Sequence, residues 1–127
     1  MNNKQGKPNL GEPTEDAVEE ATKELIKEDP HFVGYQRAKK NDALDANGID
    51  IFIFLQGGLI LPLQVKSSYS KLRKFQRNHP LIIFVLFVRN ISLDKNSERY
   101  KRTIIYIKNK IKRFASRAQH NLGNLNP

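Results

Sequence analysis

Ile49-Asp50-Ile51-Phe52-Ile53-Phe54-Leu55-Gln56-Gly57-Gly58-Leu59-Ile60-Leu61-Pro62-Leu63-Gln64-Val65-Lys66 is the stretch on which the fold turns. Two apolar runs flank a Gln-Gly-Gly turn signal, so the segment reads as an antiparallel hairpin. Side chains alternate along a strand. Ile49, Ile51, Ile53 and Leu55 therefore share one face, as do Leu59, Leu61, Leu63 and Val65 on the second strand. Burying both aliphatic faces together requires odd-numbered residues to pair with odd-numbered ones. That register needs a three-residue loop, Gln56-Gly57-Gly58, or a bulge, for which Pro62 is a natural site because it cannot donate to the ladder. A tight Gly57-Gly58 turn without a bulge would pair Asp50 with Val65 and carry Asp50 to the wrong face. The odd register instead sets Asp50 opposite or diagonal to Gln64 and Lys66, within reach of a shared ion.

Outward from the hairpin, Pro13-Thr14-Glu15 opens a predicted helix running to about Glu28 and stopped before Pro30. Its apolar residues Ala17, Val18, Ala21, Leu25 and Ile26 follow helical spacing. His31 to Ala38 reads as a short strand, and Lys39 to Asn47 as a polar loop. Beyond the hairpin, Ser70 caps a predicted short basic helix from Lys71 to about Asn78, with Leu72 and Phe75 inward and Pro80 as its end. Leu81 to Val88 is apolar throughout, which predicts a strand buried on both faces. It is far short of the ~20 residues a membrane-spanning helix needs. A helix between two such strands implies a crossover onto a mixed sheet.

The tail carries two patterns. Tyr100, Ile104, Ile107, Ile111, Phe114 and Ala118 lie on a helical stripe, whereas Thr103-Ile104-Ile105-Tyr106-Ile107 is β-branched and aromatic throughout. The reading favoured here is a strand over 103–107, then a helix from about Asn109. The fold class expected is α/β, a small mixed sheet flanked by helices. Residues 1–12 form a disordered lead, 13–118 a single domain and 119–127 a frayed tail.

At 127 residues the chain can bury a core without covalent staples, and it contains no cysteine. Thiolate nucleophiles, cysteine zinc sites and disulfide chemistry are thereby excluded. Charge is unevenly placed. Residues 1–50 carry 7 Lys and Arg against 11 Asp and Glu, net −4, while residues 51–127 carry 15 against 2, net +13. Such a field points to a polyanionic partner, with a solvated, solubilising surface as the alternative. Six to eight phosphate contacts would give a log–log salt dependence of roughly −5 to −7. The polar first residues hold no signal-peptide core, so a soluble cytoplasmic protein without a membrane partner is expected.

The order helix, three strands, helix, strand, with an aspartate at the start of one strand and Gln-x-Lys on the next, resembles the PD-(D/E)XK nuclease superfamily. Over roughly residues 13–90 the resemblance implies a restriction-endonuclease-like αβββαβ core. Asp50, closing Asp45-Ala46-Asn47-Gly48-Ile49-Asp50, matches the family's metal-binding aspartate, and Lys66 matches its lysine. Gln64 stands where Glu or Asp is commonest, although Gln-Val-Lys followed by serine, as in Gln64-Val65-Lys66-Ser67-Ser68, occurs in some branches. The resemblance implies Mg²⁺, with Mn²⁺ as substitute, held by the Asp50 carboxylate, the Gln64 amide oxygen and the Val65 carbonyl. It further implies that Lys66 positions or deprotonates the attacking water and stabilises the transition state. A helix glutamate often joins such a site. Glu15, near the edge of the apolar stripe, is the first candidate and Glu19 the second, whereas Glu20 points away; each is otherwise a solvated helix acid.

Ser67 and Ser68 are candidates to hydrogen-bond a phosphate, or else turn-formers. Lys71, Arg73, Lys74 and Arg77, with Lys108 to Arg117 in the tail, are candidate phosphate-tracking cations. Tyr69, Tyr100 and Tyr106 read as packing residues before base-stacking ones. Asp45 and Asp50 also fit turn chemistry around Asn47-Gly48, and Gln64 and Lys66 an ordinary polar strand face. An EF-hand aligned on Gly48 fails at Ala43 and Phe54, and His31, His79 and His120 lack zinc spacing. The expected function is a metal-dependent DNA endonuclease on double-stranded or branched DNA, acting as a homodimer because so small a subunit covers little duplex. A catalytically silent nucleic-acid-binding protein that kept the fold is the alternative, and a basic RNA-associated protein a third reading.

Overall fold

The computed structural model describes residues 11–38, 48–67 and 84–125, the last five of these by backbone alone. Helix α1 spans Gly11–Glu28, with Glu12 in its first turn and Lys27 in its last, both signs favourable to the helix dipole. Ala17, Val18, Ala21 and Leu25 form its buried stripe. The helix stops at Asp29-Pro30, where the Asp29 N–H donates to the Leu25 carbonyl and the Asp29 carboxylate accepts the His31 N–H.

Four strands follow: β1 (Phe32–Arg37), β2 (Ile51–Leu55), β3 (Ile60–Lys66) and β4 (Phe84–Phe87). They lie in the order β1-β2-β3-β4, with the first two pairings antiparallel and β3–β4 parallel. The fold is thus α/β with a small mixed sheet. Ile51 pairs with Leu63 and Ile53 with Leu61, which is the odd-to-odd register. Leu55 N–H donates to the Leu59 carbonyl at 2.8 Å across the three-residue loop. Gly57 and Gly58 hold φ of +88° and +83° there, a region that side chains oppose. The aliphatic faces are buried as the pattern requires, with Ile51, Ile53, Leu55, Leu61, Leu63 and Val65 in one core with α1. The predicted helix over 71–78 and the first residues of the predicted strand over 81–88 lie outside the described residues.

Two expectations are corrected. Within β4, Phe84, Val85 and Phe87 are only half-buried, not covered on both faces; among the described residues this strand ends the sheet. The tail forms no strand at 103–107: helix α2 is continuous over Glu98–Leu125. Ser97 caps it, its hydroxyl accepting the Tyr100 N–H at 3.1 Å. Tyr100, Ile104, Ile107, Ile111 and Phe114 enter the core, while Ile105 and Tyr106 stay 57% and 43% exposed. Burial of a complete apolar stripe outweighs a local β preference of tenths of a kcal/mol per residue, since each fully buried Ile contributes about 1.5–3 kcal/mol.

The two helices are clamped by polar contacts. Tyr100 donates its hydroxyl proton to Glu20 at 2.7 Å, and Lys108 Nζ meets Glu24 at 3.1 Å and Glu28 at 2.8 Å. Glu20 is thereby engaged with α2 and does not line the cavity at the hairpin end. Lys108, expected among the phosphate-tracking cations, is committed to holding the helices together. Among the described residues no helix is long and apolar enough to cross a membrane.

Candidate functional site

Asp50 stands one residue ahead of β2, where the ladder closes around it. Its N–H donates to the Leu63 carbonyl and its carbonyl accepts the Ala38 N–H, both at 2.9 Å. Its Oδ2 accepts the Val65 N–H at 2.7 Å. In a regular continuation of the ladder, Val65 would bond the backbone of Ile49; the Asp50 carboxylate takes that place. A residue's N–H and C=O leave a strand on the same side. The Val65 carbonyl accordingly faces the Asp50 side, while the Lys66 carbonyl on the other side accepts the Val88 N–H at 2.9 Å.

The hairpin end and the start of α1 enclose a cavity of about 170 Å³ lined by Asp50, Gln64, Val65, Lys66 and Ser67, together with Thr14 and Glu15. The residues singled out in the hairpin and one of the two helix glutamates are brought to one place. Gln64 is 6% exposed, and among the described residues its Oε1 has no hydrogen-bond partner. A buried amide oxygen left in that state costs about 1–3 kcal/mol. Gln64 thus brings a hard-oxygen donor to a cavity that Asp50 and Glu15 also line.

Glu15 and Glu19 differ in their commitments. Arg37, projecting from β1, places Nη2 3.5 Å from Glu15, and Nη1 2.6 Å from Asp16 and 2.9 Å from Glu19. Glu19 also accepts the Tyr35 hydroxyl proton. That hydrogen bond, reinforced by Arg37, holds the Glu19 carboxyl below its ordinary value of 4.5. Burial, then the Glu19 carboxylate, pushes the Tyr35 hydroxyl up to about 12. Glu19 is thereby a structural partner of β1, and only Glu15 of the two lines the cavity.

Sequence reasoning passed over Thr14 and Arg37. Thr14 is buried against the cavity, and its spacing to Ala17, Val18 and Ala21 (three, four and seven residues) places it on the apolar stripe, a signal that could have found it. Arg37 carries no local signal, because its carboxylate partners belong to another element. Ser68, Lys71, Arg73, Lys74 and Arg77, like Asp45 and Asn47, lie outside the described residues.

The donor set can be tested against a divalent cation. Mg²⁺ and Mn²⁺ take hard oxygen ligands, often one or two carboxylates with water completing the shell. Asp50, Glu15 and the orphaned Gln64 oxygen fit that chemistry, although the described residues contain no group of three His, Cys, Asp or Glu side chains able to hold a metal. Comparison of the chain with family models, curated proteins and solved structures returns no significant match.

Proposed function

We propose that the cavity at the end of the hairpin is a metal-dependent phosphodiesterase centre and that the chain is a DNA endonuclease. The observation that carries this reading is that Gln64, whose buried Oε1 has no partner among the described residues, lines one cavity with Asp50, Glu15 and Lys66. Asp50 and Gln64 would hold Mg²⁺ or Mn²⁺, with Glu15 as a further carboxylate and the Val65 carbonyl on the same side. When bound, the ion supplies Lewis-acid activation of water and neutralises charge at the scissile phosphate. Lys66 sets a positive charge where negative charge grows on the phosphate, and its ammonium orients the attacking water. The Asp50–Val65 hydrogen bond fixes the carboxylate before substrate arrives, so no reorganisation is needed at that group. The excess of cations beyond residue 50 suits a nucleic-acid substrate, double-stranded or branched, and the small subunit suits action as a homodimer in the cytoplasm.

A second reading is a nucleic-acid-binding module without catalysis. It is favoured by the neutral Gln64 at a ligand position and by the proximity of Glu15 to Arg37. Cleavage of supercoiled and branched DNA in Mg²⁺ and Mn²⁺, wild type beside Lys66→Ala, decides between them. Cutting that disappears in Lys66→Ala while DNA binding persists supports the nuclease. Equal cutting by both proteins places the activity elsewhere, and salt-sensitive binding without cutting supports the silent module.

A further inference from the structure

A second cavity, of about 430 Å³, opens where β4 runs out against the first turns of α2. Arg89, Arg99 and Arg102 line it, with Phe87 and Tyr106 as its apolar wall, and none of its described lining residues is acidic. The three arginines are exposed, and among the described residues none has an acidic partner. Arg37 and Lys108, both half-buried, are placed differently. Arg37 meets three carboxylates and Lys108 two. Arg99 also sits in the first turn of α2, where the helix dipole disfavours a positive charge. Lys110 adds a further cation, its Nζ 5.9 Å from the Tyr106 ring centroid. Uncompensated positive charge has been concentrated around an open, aromatic-walled hollow, against local electrostatic preference.

We infer that this cavity binds one nucleotide of a nucleic-acid strand, the guanidinium groups taking its phosphate and the Phe87–Tyr106 wall its base. Guanidinium groups match phosphate oxygens in bidentate geometry, and aromatic walls accept any base. The position agrees with a strand rather than a lone nucleotide. Lys66 and Phe87 are register partners on the parallel β3 and β4, and Val88 N–H bonds the Lys66 carbonyl. The arginine cavity thus begins one strand, about 4.8 Å, from the hairpin site. A chain of phosphates crossing the C-terminal ends of β3 and β4 meets both. The inference shares a nucleic-acid substrate with the proposed function and needs none of its chemistry.

The test is fluorescence anisotropy of the full chain with a short labelled single-stranded oligonucleotide in EDTA, titrated across salt. Arg89→Ala/Arg99→Ala/Arg102→Ala is compared with Lys95→Ala/Lys101→Ala/Lys112→Ala, which removes the same charge outside the cavity. The arginine variant is expected to lose at least tenfold more affinity than the lysine variant. Its log–log salt slope should be shallower than wild type by about 2, three single-strand contacts at about 0.7 each. Tyr106→Ala should weaken binding roughly tenfold without changing the slope. If the arginine-to-alanine protein melts below wild type, the corresponding Arg→Gln variant, which keeps side-chain length, must give the same ranking. Equal losses in the arginine and lysine variants overturn the inference. So does competition by deoxyadenosine monophosphate matching unlabelled oligonucleotide mole for mole, which would make this a free-nucleotide pocket. Failure of wild type to bind any strand overturns this inference and the proposed function together. Binding without cutting in Mg²⁺ tells against the nuclease alone.

Discussion

Gln64→Met removes the buried amide oxygen while keeping an unbranched side chain of similar length. In EDTA the wild-type protein carries a buried acceptor with no partner among the described residues, at a cost of about 1–3 kcal/mol. Methionine relieves that cost. For a domain of this size each kcal/mol moves the melting temperature by about 3–5 °C, so the variant should melt about 3–15 °C higher without metal. The order then narrows when metal is added. A cation at ten times its dissociation constant stabilises the wild type by about 1.4 kcal/mol, or about 4–7 °C, and the variant by much less. Differential scanning calorimetry in EDTA and in graded Mn²⁺ measures both. A variant that melts lower than wild type in EDTA and keeps the full Mn²⁺ response would refute the reasoning, because the amide would then be serving the fold and not a ligand.

Other consequences are equally open to measurement. Ile107→Ala should cost about 2–5 kcal/mol in urea unfolding and Ile105→Ala under about 0.5, since Ile107 is fully buried and Ile105 lies on the outer face of α2; equal costs would contradict the continuous helix. Gly58→Ala, forced to keep φ near +83°, should lose about 1–2 kcal/mol by the same assay. Glu19 titrates lower in the folded chain than its ordinary 4.5, chiefly through the Tyr35 hydroxyl. Its contribution is present above pH 4.5 and is lost as the pH falls through the depressed folded value, so Tyr35→Phe should flatten the acid limb of a stability–pH curve. Tyr35 itself, raised from 10.0 to about 12, stabilises below pH 10 and loses that contribution between 10 and 12, so the same variant should flatten the alkaline limb too.

The hairpin was legible because its aliphatic residues repeat at period two on both sides of the loop, which leaves only one register that buries them. Asp50, Gln64 and Lys66 came together for the same reason. Helix α1 was legible from Ala17, Val18, Ala21 and Leu25. The segment 103–107 misled because Ile104 and Ile107 satisfy a helical stripe while the run Thr103 to Ile107 satisfies a strand propensity, and only the core offered by α1 and the sheet decides between them. Lys108 misled as well: a lysine in a basic run gives no sign that Glu24 and Glu28, some eighty residues earlier, will claim it. The Arg37 cluster is invisible for the same reason, being a meeting of β1 with α1. The orphaned state of Gln64 is a property of its neighbours, and no residue pattern announces it.

The Asp50 carboxylate that closes the ladder at Val65 has a consequence for observing this protein. The acid that lines the cavity is also a rung of the sheet, so a change at its carboxylate is felt at the Val65 peptide proton. Whatever draws on Asp50 must lengthen, bend or strengthen the Val65 hydrogen bond, and the amide resonance and exchange rate of Val65 will register it. The chain thus carries its own label-free reporter, native to the backbone and placed one hydrogen bond from the acid it would monitor.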